Sequence, residues 1–251
     1  MVLSLNSIKE IPIGIANSIA REDNFSWYTT LNFARNFGLN LIQLYINPDS
    51  LKKEINEIKN IDKENFNIFL HLPPKIISIK TLETVITVFP DTYLLIQHEK
   101  LVSKFLFKTA DTLGCLIGYE NDNPDALTSY TDSLKKLMAG NHKFVPVLDI
   151  PRFYHQHSNQ YGQEPLTDFI YKIINILEDY NLPIVLHLLD SKDINGHREN
   201  WCPLFEGNLP LREILVKILE NLRILGIILE YESIDLTEKS LENLRNFLKT
   251  G

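Results

Sequence analysis

The chain has 251 residues, of which 44% are hydrophobic and 23% are charged, and its formal net charge is −7. This balance excludes a disordered or collagen-like chain, and the length is typical of one α/β barrel domain. The acidic charge argues against nucleic acid as a partner, because surfaces that bind it depend on Lys and Arg to neutralise phosphates.

The cysteine content and the hydropathy pattern indicate a cellular compartment. Cys115 and Cys202 are too few for a disulfide framework and are typical of a reducing environment. Residues 1–15 lack a basic segment followed by an apolar one, and no apolar run approaches the length of a membrane span. We therefore expect a cytoplasmic protein with no membrane partner.

Short apolar runs alternate with segments of helical periodicity along the whole chain. The runs are Ile11–Ile15, Leu41–Ile46, Phe66–Leu72, Tyr93–Gln97, Leu113–Tyr119, Phe144–Leu148, Leu182–Leu188 and Ile224–Tyr231. Runs that are apolar on both faces and alternate with helices predict a parallel sheet covered by helices. Eight such units, with no GxGxxG after the first, favour a single (β/α)8 TIM barrel domain over residues 1–251 rather than an open sheet.

A histidine or a carboxylate stands at the end of six of these runs. The six residues are His71, His98, Glu120, Asp149, His187 and Glu230. Because the carboxyl ends of the strands form the active-site face of an α/β barrel, we expect these side chains to meet at one rim. A single polar residue there would be explained by helix capping or a loop hydrogen bond. Six together favour a site for one or two divalent ions, such as zinc or manganese, since imidazole and carboxylate ligands suit them.

The sequence resembles the xylose isomerase-like TIM barrel superfamily, which includes endonuclease IV-type enzymes and sugar isomerases and epimerases. The most specific stretches are His187-Leu-Leu-Asp190-Ser191 and Phe205-Glu206-Gly207-Asn208, which look like the superfamily's histidine-ending strand and its Gly-Glu-Gly-Asn segment. The resemblance implies a shared metal held by Glu120, Asp149, His187 and Glu230. It also implies a second ion, as in endonuclease IV, held by His71, His98 and Glu120.

Two positions depart from the endonuclease IV pattern. Arg152 replaces a histidine three residues after the aspartate, which the sugar isomerase branch also usually keeps, and Glu199-Asn200-Trp201 replaces an Asp-x-His step. A third metal site is therefore expected to be lost. Arg152 either binds an anionic substrate group through bidentate hydrogen bonds or pairs with Glu199. Arg152, Glu199 and Trp201 are the predicted substrate-binding residues, and Trp201 is suited to stacking on a sugar ring.

These residues favour a divalent-metal-dependent isomerase or epimerase that acts on a small sugar or hydroxy-ketone through a metal-stabilised enediolate. As in the epimerases that the chain resembles, Glu120 and Glu230 would be the catalytic residues that remove and return the proton. Two alternatives stay open: an endonuclease IV-like phosphoester hydrolase with a degenerate third metal site, and a non-catalytic metal-binding barrel. A small molecule is the predicted partner, and a homo-oligomer is compatible with the sequence.

Further polar and aromatic residues lie near the predicted rim. His155 and His157 are expected in an extended loop after the sixth strand, facing solvent or forming part of a substrate lid. Tyr45 and Trp27 either line the pocket or pack in the core. Gln43 is expected to point away from its rim neighbours, because side chains alternate along a strand.

Overall fold

The computed structural model describes residues 11–59, 61, 66–74 and 78–250. Eight parallel strands there close into a barrel. They are β1 (Ile13–Ala16), β2 (Leu41–Tyr45), β3 (Asn67–His71), β4 (Leu94–His98), β5 (Leu116–Glu120), β6 (Phe144–Asp149), β7 (Ile184–Leu188) and β8 (Ile224–Leu229). Each strand pairs with its neighbours in sequence, and β8 pairs with β1. The predicted (β/α)8 fold is confirmed, and every predicted apolar run overlaps a strand.

Helices follow the strands and cover the outside of the barrel. They are α1 (Trp27–Asn36), α2 (Leu51–Glu57), α3 (Ile79–Val88), α4 (Lys104–Leu113), α5 (Ser129–Ala139), α6 (Ile150–Tyr161), α7 (Gln163–Asp179), α8 (Leu211–Asn221) and α9 (Ile234–Thr250). Their apolar residues face the strands. In α7, for example, Leu166, Ile170, Ile173 and Leu177 are all fully buried. No helix in the described part of the chain has the length and apolar character that a membrane span requires.

Alternation along the strands explains why polar residues meet in the barrel mouth. A cluster of buried apolar residues fills the barrel interior and includes Phe69, Ile96, Val147, Val185 and Ile228. Two positions later along the same chain segments come His71, His98, Asp149, His187 and Glu230. Because side chains two apart on a strand share a face, this spacing directs the polar residues toward the barrel axis.

Gly118 makes room in the interior beneath Glu120. A Cβ atom at this position would lie 2.7 Å from Cγ1 of Ile96 and 3.2 Å from Cγ2 of Val147. The neighbouring strands therefore pack directly against the backbone of β5 at this level, and a larger side chain would displace them.

Asp190 organises the long segment that follows β7. Its Oδ1 accepts a hydrogen bond from the backbone N–H of Ser191 at 2.8 Å, and its Oδ2 accepts from those of Phe205 and Gly207 at 2.9 and 3.0 Å. A Cβ atom on Gly207 would clash with the Asp190 carboxylate. The Asp-Ser step and the Glu-Gly-Asn segment that carry the family resemblance thus build the loop that holds Trp201.

Candidate metal centre

Glu120 is fully buried at the end of β5, and its carboxylate contacts three histidines. Its Oε1 lies 2.8 Å from Nδ1 of His187, and its Oε2 lies 3.1 Å from Nε2 of His71 and 3.0 Å from Nε2 of His98. Burial opposes ionisation of this carboxyl group. The charge of Arg152 and the contacts with His71 and His187 outweigh burial and hold the pKa of Glu120 well below its usual range.

Four residues form a compact group of candidate metal ligands. One ligand atom from each of Glu120, Asp149, His187 and Glu230 can be chosen so that all lie within 4.8 Å of one another. The pKa of Asp149 is raised to about 6, first by burial and then by the charges of Glu230 and Glu120, against the lowering effect of Arg152. Three buried or half-buried carboxylates around one imidazole fit a divalent cation, which would neutralise their mutual repulsion.

Asn121 fixes the position of Asp149, and the sequence analysis did not single it out. Its Oδ1 accepts from the backbone N–H of Asp149 at 2.8 Å, and its Nδ2 donates to the backbone carbonyl of Asp149 at 3.0 Å. This reciprocal pair joins the ends of β5 and β6 in a buried position. Asp149 also caps α6, since its Oδ1 accepts from the backbone N–H of Arg152 at 3.0 Å.

The guanidinium of Arg152 lies in the barrel mouth among acidic side chains. Its Nε is 2.6 Å from Oδ2 of Asp149, and its Nη1 is 3.6 Å from Oε2 of Glu120 and 3.5 Å from Oδ1 of Asp122. The pairing with Glu199 considered from the sequence is not formed. Glu199 is exposed, and within the described ranges the ion pairs of Arg152 are those with Asp149, Glu120 and Asp122.

Asp122 is a second residue that the sequence analysis missed. Its Oδ2 lies 2.8 Å from Nδ1 of His98. Burial lowers the pKa of His98, but the hydrogen bonds to Asp122 and Glu120 outweigh burial and raise it to about 9. The same contact with His98 lowers the pKa of Asp122 to about 2. His71, His98 and Glu120 form a second group whose candidate ligand atoms lie within 4.8 Å of one another.

Two cavities open at the mouth, and Arg152 and Tyr45 line both of them. The first has a volume of about 480 Å³, and the residues that line it include Asp149, Glu230, Trp27 and Trp201. The second has a volume of about 530 Å³, and the residues that line it include His71 and His98. Arg152 therefore lies between the two groups of candidate ligands. Glu120 lines neither of these cavities.

Two residues of β2 hold the carboxylate of Glu230. The hydroxyl of Tyr45 donates to Oε1 of Glu230 at 2.6 Å, and Nε2 of Gln43 donates to the same oxygen at 2.7 Å. The prediction that Gln43 points away from the rim was wrong. Leu41 and Tyr45 both pack against the interior cluster, so Gln43 between them shares their face.

The prediction of an extended loop at His155 and His157 was also wrong, because both lie in α6. His155 lines the first cavity, and burial together with the charge of Arg152 lowers its pKa to about 4. Its Nε2 is buried and has no hydrogen-bond partner among the described residues. Trp201 lines the same cavity, whereas Glu199 does not.

No protein-family model and no curated protein matches this sequence. Solved structures do match, beginning with a D-tagatose 3-epimerase-like protein that is 17% identical, with a TM-score of 0.58 and coverage of 95% of this chain and 97% of the other. The IolI protein with a bound zinc atom is 14% identical, with a TM-score of 0.61 and 95% coverage of each chain. A xylose isomerase-like TIM barrel protein from Mycobacterium smegmatis in complex with magnesium is 12% identical, with a TM-score of 0.63 and coverage of 97% and 98%.

The chain has the closed (β/α)8 barrel fold of these structures. The match extends over nearly the whole length of each structure, as the sequence resemblance implies. At these identities the likeness concerns the fold, so the side chains of this barrel determine which function is proposed for it.

Proposed function

We propose that this barrel is a divalent-metal-dependent isomerase or epimerase of a small sugar or hydroxy-ketone. One observation carries the proposal: the ligand atoms of Glu120, Asp149, His187 and Glu230 converge within 4.8 Å, and two of these residues line a cavity of about 480 Å³. That volume is in the range of small-molecule sites. Proteins that share the fold include one described as D-tagatose 3-epimerase-like and two barrels with bound zinc or magnesium, so the fold is compatible with a metal-dependent epimerase.

The four converging residues would hold a single ion. When bound, a divalent ion supplies Lewis acidity, which makes the C–H beside a substrate carbonyl easier to deprotonate. A second ion at the His71 group is opposed by Arg152, whose Nη1 lies 3.4 Å from Nε2 of His98 and 3.6 Å from Oε2 of Glu120. Two like unit charges about 4 Å apart repel by about 4 kcal/mol near a protein surface, and a divalent ion doubles that cost.

Glu230 is the residue best placed to move the proton. It lines the first cavity, and Tyr45 and Gln43 orient its carboxylate by donating to Oε1. Removal of a proton from the carbon beside the carbonyl would give an enediolate, and return of the proton to another position or face would give the isomer or epimer. Glu120 is fully buried, so it would take part as the second base only after Arg152 moves aside.

A phosphoester hydrolase is the second candidate, and the compact group of His71, His98 and Glu120 favours it. Hydrolysis with paired metals would need an ion at this group as well as at the first. The guanidinium of Arg152 lies beside both groups, because its Nε is 2.6 Å from Oδ2 of Asp149 and its Nη1 is 3.6 Å from Oε2 of Glu120. Two bound ions would therefore meet more repulsion from Arg152 than one, which favours the isomerase, since it needs a single ion.

Solvent isotope exchange tests the isomerase proposal without knowledge of the product. Protein loaded with Mn²⁺ is incubated with a panel of ketoses and aldoses in D₂O, and loss of the proton beside the carbonyl is followed by NMR. We expect exchange that chelation abolishes and that Glu230→Gln slows at least ~100-fold, since a positioned base contributes about 10²- to 10⁴-fold.

Glu206→Gln is the matched control, because Glu206 pairs with Lys239 on the surface. This variant should exchange at the wild-type rate. Exchange that persists at the full rate after exhaustive chelation would overturn the proposal.

A further inference from the structure

Asn24 and Phe25, in the loop between β1 and α1, both have a left-handed backbone, with φ of 50° and 61°. This conformation is unfavourable for residues that carry a Cβ atom, and for a bulky side chain such as phenylalanine it is rare. Such strain persists only where surrounding contacts enforce it, and it is concentrated at ligand-binding positions.

Two hydrogen bonds hold the backbone of Phe25 in this conformation. Its backbone N–H donates to the carbonyl of Ala20 at 2.8 Å, and its carbonyl accepts from Nδ2 of Asn17 at 2.9 Å. Oδ1 of Asn17, a residue only 1% exposed, accepts from the backbone N–H of Tyr45 at 2.7 Å. One buried amide thus ties Phe25 to the tyrosine that orients Glu230.

The ring of Phe25 is not part of the core. It is 42% exposed, and it lines the same cavity as Asp149 and Glu230. Glycine or asparagine would adopt this left-handed conformation at a lower cost in conformational free energy. Chain folding therefore does not explain a phenylalanine here, whereas contact with a ligand in the cavity does.

Trp201 reaches the same cavity from the loop after β7. Its indole Nε1 is buried and has no hydrogen-bond partner in the part of the chain that the structure describes. A buried donor without an acceptor lowers the stability of the protein, and an acceptor oxygen on a bound ligand would supply the missing hydrogen bond.

The cations of the cavity are already paired with acids. Arg198 lies 3.0 Å from Oε1 of Glu232, which Arg21 also contacts, and Arg152 is paired with Asp149 and Glu120. Asn17, Asn24, Asn47, Ser18, Ser50 and Glu54 also line this cavity. Amide, hydroxyl and carboxylate groups recognise hydroxyl groups, and the four carboxylates that line this cavity outnumber its two guanidiniums, which disfavours binding of an anion.

We propose that Phe25 and Trp201 form a specificity subsite for a neutral polyhydroxylated substrate. The ring of Phe25 packs on a C–H face of the substrate, and the indole N–H of Trp201 donates to one of its hydroxyl oxygens. The proposal rests on the proposed function, because it places the remainder of the substrate beside Glu230. It adds that the substrate is an uncharged sugar rather than a sugar acid or a sugar phosphate.

Ligand entry can be measured without turnover. The chain has two tryptophans, Trp27 and Trp201, and both line this cavity, so its intrinsic fluorescence reports binding. Metal-loaded protein is titrated with xylitol and sorbitol, which have no carbonyl group and cannot be isomerised, and with gluconate and glucose 6-phosphate as anionic probes. We expect a saturable change with at least one alditol and no tighter binding of either anion.

Phe25→Gly tests separately whether the left-handed backbone destabilises the protein and whether the Phe25 ring contributes to alditol binding. This variant should raise the melting temperature, because the left-handed backbone suits glycine, and should raise the Kd for the alditol at least tenfold. Asn181→Gly is the matched control, since Asn181 has a φ of 50° in the loop that enters β7 from the opposite end of the barrel. Asn181→Gly should gain stability with an unchanged Kd for the alditol.

Trp201→Phe keeps an aromatic ring but removes the indole N–H donor. Calorimetry should therefore show weaker alditol binding for this variant.

Three results would overturn the subsite. They are an unchanged Kd in Phe25→Gly, binding of the anionic probes alone, and the absence of any saturable change with either alditol. Alditol binding that depends on Phe25 without any isotope exchange on sugars would instead retain the subsite and refute the isomerase.

Discussion

The guanidinium of Arg152 lies among Asp149, Asp122 and Glu120, at a position where the sequence resemblance implies a histidine in endonuclease IV-type enzymes. The positive charge of this side chain thus offsets part of the negative charge of the three carboxylates. The sequence predicted that this residue alters the metal site. It did not predict the partners of Arg152, because Asp122 lies beyond the end of β5 and its position depends on how the following loop folds.

Arg152→His should raise the metal capacity of the barrel. Removing the guanidinium removes the repulsion at His98 and Glu120 and adds an imidazole that is itself a ligand. We expect native mass spectrometry to show uptake of one more Zn²⁺ or Mn²⁺ ion per chain than in the wild type. Arg198→His, at a cavity position paired with Glu232, is the control and should leave the count unchanged. An equal count in Arg152→His and wild type would contradict this role for Arg152.

At the scale of elements, the alternation of side chains along the strands made most of the rim predictable. The six residues that end the apolar runs all lie at the barrel mouth, because a strand has a period of two and parallel strands share their carboxyl edge. The direction of the Gln43 side chain was predicted wrongly, because the sequence does not fix where β2 ends. In the structure Gln43 lies in register with Phe69, which belongs to the interior cluster, and that pairing sets its face.

Helix α6 was missed although the sequence carries its start signal. Asp149 is an N-cap residue and Pro151 occupies the first turn, which together predict a helix from Ile150. A helix that starts at Ile150 contains both His155 and His157, two residues apart. Positions two apart on a helix point to different sides, so the two histidines do not act as a pair of ligands.

Asn121→Ala tests whether the bridge between β5 and β6 positions Asp149. Loss of two buried hydrogen bonds should lower the free energy of unfolding by about 1–3 kcal/mol, as urea denaturation would measure. Metal affinity should fall as well, because the end of β6 would be less constrained. Asn123→Ala is the control, since the side chain of Asn123 makes an exposed hydrogen bond to the backbone of Asp125. Equal stability and equal metal affinity in the two variants would refute the positioning role.

For the molecule as a whole, the fold followed from periodic patterns, whereas the substrate cavity did not. Phe25, Glu54 and Trp201 line one cavity but come from three separate loops and helices of the chain. Their proximity depends on the closed barrel and on side-chain contacts such as Asn17 with Tyr45. No local sequence signal encodes those contacts, which is why Phe25 was not among the predicted substrate-binding residues.

We propose that one divalent ion binds to Glu120, Asp149, His187 and Glu230. Native mass spectrometry of the wild-type protein during titration with Mn²⁺ measures the number of bound ions, with Asp149→Ala as the comparison variant. We expect one tightly held ion per wild-type chain, and none in Asp149→Ala protein whose circular dichroism shows that it is folded. Wild-type protein that holds no ion at saturating Mn²⁺, or an Asp149→Ala variant that retains the ion, would contradict it.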